Sequence, residues 1–558
     1  MNSERLGDVF RLLKSRGFTA AGTRSGRRLF EGHLQCSKGS VRVRLDISDW
    51  DFLSYPVIAL LERPSFLPAL MPHVDVTGGL CYFGPGSVVL DRYDPALAIA
   101  QCLNQAEAVL DRIATEADYR SGDIQDEFLA HWEFGQATMP WPVLIGSISP
   151  NVVSANYSLL NTGGGRRAII ASDAAEVAAF AQAFGGPVSS RTNCKCWIFR
   201  TEIRPTVPAI MPVTIKDLFA WLNQWDRKIY NGIQHVLERE HAYLDYTFVT
   251  FAIDTPIGWL GFGFDLNQIK RLGAQRFPKL YKQYLHGKGG SSPVMRLSIT
   301  DISPSFVHSR NLSFPDLRNK RITVVGCGAI GSYLAQSLVR LGAGLGRGSL
   351  TLVDPDTLQP ENLGRHVLGY PALFKLKADA LREELLRQFP LACIEAVPKS
   401  VVDHQSLFAV DLLVDATGEE SVSELLNGWR IGRRTETPIL HVWIKGNGEC
   451  VQVLWADCSG AGCFRCLKSV DEHSYRQDRF PVLNSAPQKR SIGCHAFTPY
   501  AVSSPMQAAA LGIDTVIDWM KGDPSPRFRT RSTENADVRR VKNQNISRIQ
   551  SCPACGQR

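Results

Sequence analysis

The order of apolar and polar positions divides the chain into regions of different rhythm. Residues 321–326 (RITVVG) form a continuous apolar run of strand length, and 332–341 (SYLAQSLVRL) repeats its apolar positions at helical spacing. Two further runs, 349–353 (SLTLV) and the later DLLVDATG, read as strands, and 504–511 reads as a helix. Residues 306–558 therefore alternate strand and helix in the manner of a Rossmann-like α/β domain. Residues 1–145 read differently, as an α+β domain: an N-terminal helix, strands near 29–47, a proline-punctuated stretch and helices from about Asp94. Between them, 146–305 shows a strand near 142–148 and helices such as 213–240 without a recognisable motif, and is expected to be a folded linker domain. Gly261, Gly263, Gly289 and Gly290 are expected to mark turns there, and Cys194 and Cys196 lie too close together for a zinc pair and are expected to be structural.

The fold class expected is thus multidomain α/β and α+β. At 44% hydrophobic and 21% charged residues, the composition is that of packed domains rather than a disordered chain. The net charge of +8 is spread thinly over a long chain, so it gives no reason to expect nucleic-acid binding. The charged start and the lack of a run of about 18 apolar residues predict a cytoplasmic protein without a membrane span. In that compartment the fourteen cysteines are not a disulfide framework, and they must be sorted into core, metal and reactive groups.

The turn GCGAIG (Gly326, Gly328, Gly331) lies where strand meets helix, which lets backbone approach a phosphate and directs free helix amides at it. Asp354, at the end of the next strand, is placed for ribose hydroxyls. The turn alone suits NAD as well as ATP. Asp356, Asn362, Arg365 and Lys377 downstream form a polar and cationic set suited to a triphosphate, which favours ATP. Cys463, Cys466, Cys552 and Cys555 make two C-x-x-C pairs that together supply a tetrahedral zinc site. Cys494 stands apart, in a Gly, Ser and Pro-bearing loop beside His495 and downstream of Lys489 and Arg490, whose charges favour a thiolate. Cys327, inside the glycine turn, is expected to face packing and stay inert.

With its GCGAIG turn, VDPDTLQPENLGRHVL, KLKADA and DLLVDATG, the C-terminal part resembles the ThiF-type adenylating family of ubiquitin-activating enzymes and sulfur-carrier activators. The resemblance implies that Asp354 binds ribose, that Asn362 and Arg365 contact phosphates, that Lys377 neutralises the α-phosphate, and that Arg310 acts as an arginine finger. It also implies a magnesium ion, yet the family's second acid after the fourth strand is Gly418 here. Asp415, Glu419 or Glu420 would have to substitute. Cys494 resembles the family's thioester-forming cysteine.

Tyr55-Pro56, Pro72-His73-Val74, Gly78, Leu80-Cys81 and Tyr93-Asp94-Pro95-Ala96 follow the order and spacing of a ubiquitin-conjugating enzyme around its active cysteine. By that resemblance Cys81 is the conjugating nucleophile, and His73 stands where an asparagine usually stabilises the oxyanion. The two halves together resemble the fused activating and conjugating proteins of bacterial CBASS anti-phage systems. This implies ATP, Mg2+ and Zn2+, a homodimer through the adenylating domain, and a protein substrate with a free C-terminus, the system's cGAS-like nucleotidyltransferase. Two other readings stay open: a sulfur-carrier activator, which has no use for Cys81, and a scaffold with decayed sites.

Overall fold

The computed structural model describes residues 3–24, 27–134, 141–186, 188–403, 407–471, 474–492, 495–534 and 536–556. It divides into two compact units, Met1–Val177 with Gly186–Asp301 and Ala178–Gly185 with Ile302–Arg558.

The first unit begins with a five-stranded antiparallel meander, Thr19–Arg24, Arg27–Cys36, Gly39–Ile47, Val57–Leu60 and Gly79–Leu80, in chain order across the sheet. Alternation decides which face is buried: Val41, Val43, Leu45 and Ile47 all point inward, and the residues between them do not. The helix Pro95–Thr115 covers that face with Ala98, Ile99, Cys102, Leu103, Ala106 and Leu110, spaced at three and four residues. Its start is fixed by Asp94, whose carboxylate accepts the amide of Leu97 at 3.0 Å, and by Pro95 at the first helical position.

The same unit contains a closed seven-stranded barrel, in the order Phe248–Thr255, Gly258–Asp265, Met295–Asp301, Trp141–Ile145, Gly165–Ala171, Ser154–Thr162 and Val188–Arg200. Parallel pairing of Val188–Arg200 with Phe248–Thr255 closes it and removes free edges. Gly261 and Gly263 are strand residues here, not turns. A Cβ at Gly261 would collide with Ile299, and one at Gly263 with Phe248, so the glycines serve close packing between neighbouring strands. Cys194 and Cys196 are buried in this barrel. The apolar stretch around 213–240 forms two helices, Ile215–Trp225 and Arg227–Arg239. Asp226 separates them because its side chain caps the second, accepting the amide of Lys228 at 2.8 Å.

The second unit is built on a seven-stranded sheet in the order Ile394–Val397, Ser349–Val353, Arg321–Val325, Leu412–Asp415, Ile439–Lys445, Cys450–Ala456 and Phe528–Ser532. The first five strands run parallel, Cys450–Ala456 runs against them, and Phe528–Ser532 pairs antiparallel with Cys450–Ala456. Strand order reverses at Arg321–Val325, and in open parallel sheets a ligand binds beyond the strand ends at such a reversal. Helices Ala329–Arg340 and Ser503–Met520 meet closely over Gly512, which lies against Leu334, Val442 and Leu440. No helix among the described residues is long and apolar enough to cross a membrane.

Ile99 is fully buried between helix and meander, so Ile99→Ala should lower unfolding stability by about 2–5 kcal/mol in denaturant titrations that follow the first unit.

Candidate functional site

At the reversal of strand order, Gly326 adopts φ +89° with its α-carbon against the backbone of Thr417. A Cβ on Gly331 would fall on the carbonyl oxygen of Gly326. Both positions need glycine for the strand to turn directly into the helix Ala329–Arg340. Gly328 caps that helix without any side-chain partner, and the space beside its α-carbon is open. Free amides and the positive end of the helix dipole therefore face an open place suited to phosphate.

Asp354 accepts the amides of Cys327 at 2.6 Å and Asp356 at 2.8 Å, and burial pushes its carboxyl above the ordinary range. Lys377 begins the helix Lys377–Gln388 and pairs with Asp356 at 2.8 Å. Its charge reaches Asp354, Cys327 and His366, so this lysine and the glycine turn share one electrostatic neighbourhood. His366, which the sequence did not single out, holds the carbonyl of Cys327 through Nε2 at 2.7 Å. Cys327 is itself buried, and that burial raises its thiol far above the ordinary value. Asn362 accepts the amide of Gln359 at 2.9 Å, which caps the short turn Pro360–Arg365, and Arg365 lies 5.0 Å above the Tyr500 ring. Arg310 is exposed at the end of the short helix Pro304–Ser309 and stacks on Phe306.

Asp415 is placed differently from the sequence expectation of an open magnesium ligand. One carboxylate oxygen accepts the Thr417 amide at 3.2 Å and hydroxyl at 2.7 Å; the other accepts Ser423 Oγ and, at 2.8 Å, His441 Nδ1. Burial alone would raise this carboxyl, but the bonds from His441, Ser423 and Thr417 outweigh it and hold the group below its usual value. Four donors inside the protein leave this acid as an anchor for the strand end, closed to a cation. Gly418 follows with φ +69°, Glu419 is exposed, and Glu420 pairs with Lys468 at 2.7 Å.

The two C-x-x-C pairs converge. Cys463 lies 3.8 Å from Cys466 and 3.9 Å from Cys552, and Cys466 lies 3.5 Å from Cys555. All four sulfurs are within 4.8 Å of one another and buried. A tetrahedron of zinc–sulfur bonds near 2.3 Å has edges of about 3.8 Å, so the set fits zinc, whereas a disulfide needs about 2.05 Å. The ring of Phe464, between the first two cysteines, packs on His441 with centroids 4.7 Å apart, joining this cluster to the Asp415 anchor.

In the first unit, Asp75 accepts the amides of Thr77 at 2.7 Å and Gly79 at 2.9 Å, forming a tight side-chain turn. That turn delivers the edge strand Gly79–Leu80 and, directly after it, Cys81. Cys81 is exposed, at the rim of an open groove of about 1010 Å³ with mostly apolar walls, among them Val57, Met71, Val76, Met211 and Val213. Burial of part of its surface and the charge of Glu127 raise the thiol above the usual value.

His73 adopts φ +58°, and its carbonyl accepts the Cys81 amide at 2.7 Å. Its ring does not stand free as an oxyanion donor. Nδ1 meets Glu127 at 2.9 Å and Nε2 meets Asp123 at 3.0 Å. Both nitrogens are committed to carboxylates, so the imidazole fastens the cysteine loop to the helix Ala117–Asp126 and to Glu127, the residue that joins it to the helix Phe128–Phe134. Asp123 and Glu127 went unnoticed in the sequence, although their separation of four places them on one helical face. Cys494 lies outside the described residues; the short strands Arg490–Ile492 and His495–Phe497 beside it pair antiparallel.

Residues 306–554 match the ThiF family model, and residues 12–138 match the model of Prokaryotic E2 family B. An ATP-dependent ubiquitin transferase-like protein Cap2 of Pseudomonas aeruginosa is 34% identical over 98% of this chain and 98% of its own length. A protein of the same description from Escherichia coli strain TW11681 is 26% identical over 93% of this chain and 92% of its own. The molybdopterin-synthase adenylyltransferase of Escherichia coli K12 is 30% identical over 28% of this chain and 61% of its own.

Two outcomes are expected from these sites. Elemental analysis of the purified chain should find one zinc per molecule, and Cys552→Ser should lose it and lower the melting temperature of the second unit by about 5–10 °C. The second concerns His73. The hydrogen bond that His73 donates to Glu127 raises the pKa of the histidine above the usual 6.5 and lowers that of Glu127 below 4.5. The histidine's contribution is complete below pH 6.5 and fades as pH rises through its raised value; that of Glu127 is complete above pH 4.5 and fades as pH falls through its lowered value. Amide exchange across 117–134, corrected for its intrinsic rate, should accelerate in the wild type as pH rises above 6.5 and through the raised value of His73, and show no such step in His73→Gln.

Proposed function

The chain belongs to the family of ATP-dependent ubiquitin transferase-like proteins Cap2, and from that premise we propose that it activates a protein C-terminus with ATP and relays it through two cysteines to an amine. It is an ATP-dependent enzyme of ubiquitin-like conjugation. The observation that carries the fuller reading is the presence in one chain of a bare helix N-terminus at a glycine turn and an exposed cysteine held at the end of an edge strand. We divide the work among residues 306–558 for activation, 1–145 for conjugation and 146–305 as the linker, whose barrel also takes in the strand Trp141–Ile145 from the end of the preceding segment.

In the first step a substrate carboxylate oxygen attacks the α-phosphorus of ATP, and pyrophosphate leaves. Asp354 holds the ribose; the amides after Gly328, with Asn362 and Arg365, hold the phosphates; Lys377 offsets the negative charge that grows at the α-phosphate, and Arg310 adds a further cation. Magnesium accompanies the nucleotide, but the Asp415 strand end does not fit it and no step is routed through it. Cys494 then attacks the acyl carbon and AMP departs. Cys81 displaces Cys494 from the thioester, and the departing thiolate takes up the proton that Cys81 gives up. An amine nitrogen finally replaces the Cys81 sulfur, giving an amide. Exchange between two thioesters is nearly balanced, and tethering both cysteines in one chain raises their effective concentration. Zinc, bound by Cys463, Cys466, Cys552 and Cys555, would supply structure alone.

The Cap2 relatives and the fused architecture support a place in CBASS anti-phage defence, with the system's cGAS-like nucleotidyltransferase as the protein substrate, and a homodimer through the adenylating domain. The test uses wild type, Cys81→Ala and Cys494→Ala with ATP, magnesium and that nucleotidyltransferase on non-reducing gels. Thioester is expected on both cysteines in the wild type, on Cys494 alone in Cys81→Ala, and on neither in Cys494→Ala. Pyrophosphate release without any protein thioester would replace the relay with a sulfur-carrier type of activation. Lys377→Ala should slow pyrophosphate release by about a hundredfold or more.

A further inference from the structure

Beside the glycine turn lies a cavity of about 130 Å³ that the adenylation chemistry above leaves unassigned. Its position follows from two contacts. Gly326 of the turn packs on the backbone of Thr417, and the next residue, Gly418, lines the cavity. Opposite, the walls are Trp443, Phe464 and Phe480, with Lys445 and Lys468 among them. A volume near 130 Å³ is close to the roughly 150 Å³ that an apolar protein cavity needs to enclose a benzene ring, so it accommodates the end of a peptide and not a nucleotide.

The polar side of the cavity is more informative. Lys445 comes from the strand Ile439–Lys445, and Lys468 opens the strand Lys468–Asp471. Their ammonium groups converge on a single carboxylate, that of Asp478, at 2.8 and 2.6 Å. Asp478 ends the strand Ser474–Asp478, which pairs with Lys468–Asp471 to form a small two-stranded sheet. Burial alone would push the Asp478 carboxyl up, but Lys445 and Lys468 outweigh it and keep it ionised. Lys468 stays charged for the reciprocal reason: burial lowers it, and Asp478 and Glu420 more than compensate. Two half-buried cations therefore share Asp478 at the edge of a cavity that borders the nucleotide turn, with Glu420 as a second partner of Lys468 alone.

We propose that Lys445 and Lys468 are the docking site for the terminal carboxylate of the protein substrate, and that Asp478 occupies their place until that carboxylate displaces it. The inference rests on the adenylating reading above and names how its substrate is received. A C-terminal carboxylate is the same chemical group as an aspartate side chain, so the exchange leaves the charge within this half-buried cluster unchanged. Unpairing the lysines without a replacement anion would cost far more. The aromatic walls then take the apolar part of the last residues, and the carboxylate sits next to the place where Gly326 and Gly328 leave room for phosphate. Asp478 excludes wrong ligands by the same means: a neutral peptide end brings no charge to replace it.

The test uses the full-length chain and a pool of short peptides with free C-terminal carboxylates and randomised last positions. Acyl-adenylates formed with ATP are trapped by hydroxylamine, whose nitrogen attacks the acyl carbon as AMP leaves, and the hydroxamates are counted. Lys445→Gln should raise the peptide concentration for half-saturation by about tenfold, the weight of one charge-assisted hydrogen bond, with half-saturation by ATP unchanged. Asp478→Asn, which removes the competing anion and keeps the shape, should lower it several-fold. Opposite directions distinguish a docking site from a clasp that merely fastens the two strands, because loosening a clasp from either side would change binding the same way. Equal half-saturation in all three proteins, or a shift in the same direction for both variants, overturns the docking site while leaving adenylation intact. Absence of hydroxamate from the wild type overturns the adenylating reading and this inference with it.

Discussion

The second unit depends on a close approach that only glycine permits. With the Gly331 α-carbon pressed on the Gly326 carbonyl, the chain passes from the strand Arg321–Val325 into the helix Ala329–Arg340 without a loop between them. Everything useful at the site follows from that economy of chain. The first amides of the helix end up beyond the strand ends, Asp354 from the neighbouring strand bonds back to Cys327, and His366 secures the same residue from the other side. A single methyl group at position 331 would separate these partners.

Much of the remaining chemistry consists of charged groups made to fix backbone. Asp415 is the clearest case, an ionised acid whose bonds are all spent on Thr417, Ser423 and His441. His73 does the equivalent work in the first unit, joining the cysteine loop through Asp123 and Glu127 to a helix and to its junction with the next. A buried charge is tolerable only with such partners, and once partnered it is far more directional than an apolar contact. Two of the candidate reactive features are the reverse, although Lys377 is buried and paired with Asp356. Cys81 is exposed, and the helix after Gly328 has no side-chain cap.

This contrast also explains what could be read from the sequence. The glycine turn, the two C-x-x-C pairs and the apolar rhythm of the strands Ser349–Val353 and Gly39–Ile47 are local patterns, decided by a few neighbouring residues, and each was legible. Gly261 and Gly263 misled because glycine signals a turn only when no neighbour crowds it, and Ile299 and Phe248 do so from other strands. Asp415 looked like a free strand-end acid because His441, which closes it off, comes from the next strand of the sheet. His73 looked available for the same kind of reason, its two acid partners lying 50 and 54 positions away. The pairing of Lys445 and Lys468 around Asp478 likewise exists only after folding.

The cysteine cluster fastens positions 89 apart in the sequence, Cys463 to Cys552 and Cys466 to Cys555. The chain between them, which carries Asp478, Cys494 and the helix Ser503–Met520, is therefore moored at both ends to one point. Within this closed stretch the helix Ser503–Met520 is also packed against the sheet, so the segment is held by the core as well as by the sulfurs. Its closure cost grows only with the logarithm of that length, so the intervening stretch can be long without losing its address. The four sulfurs thus do for this stretch what a knot does for a loop of thread: they fix where it begins and ends, whatever its length.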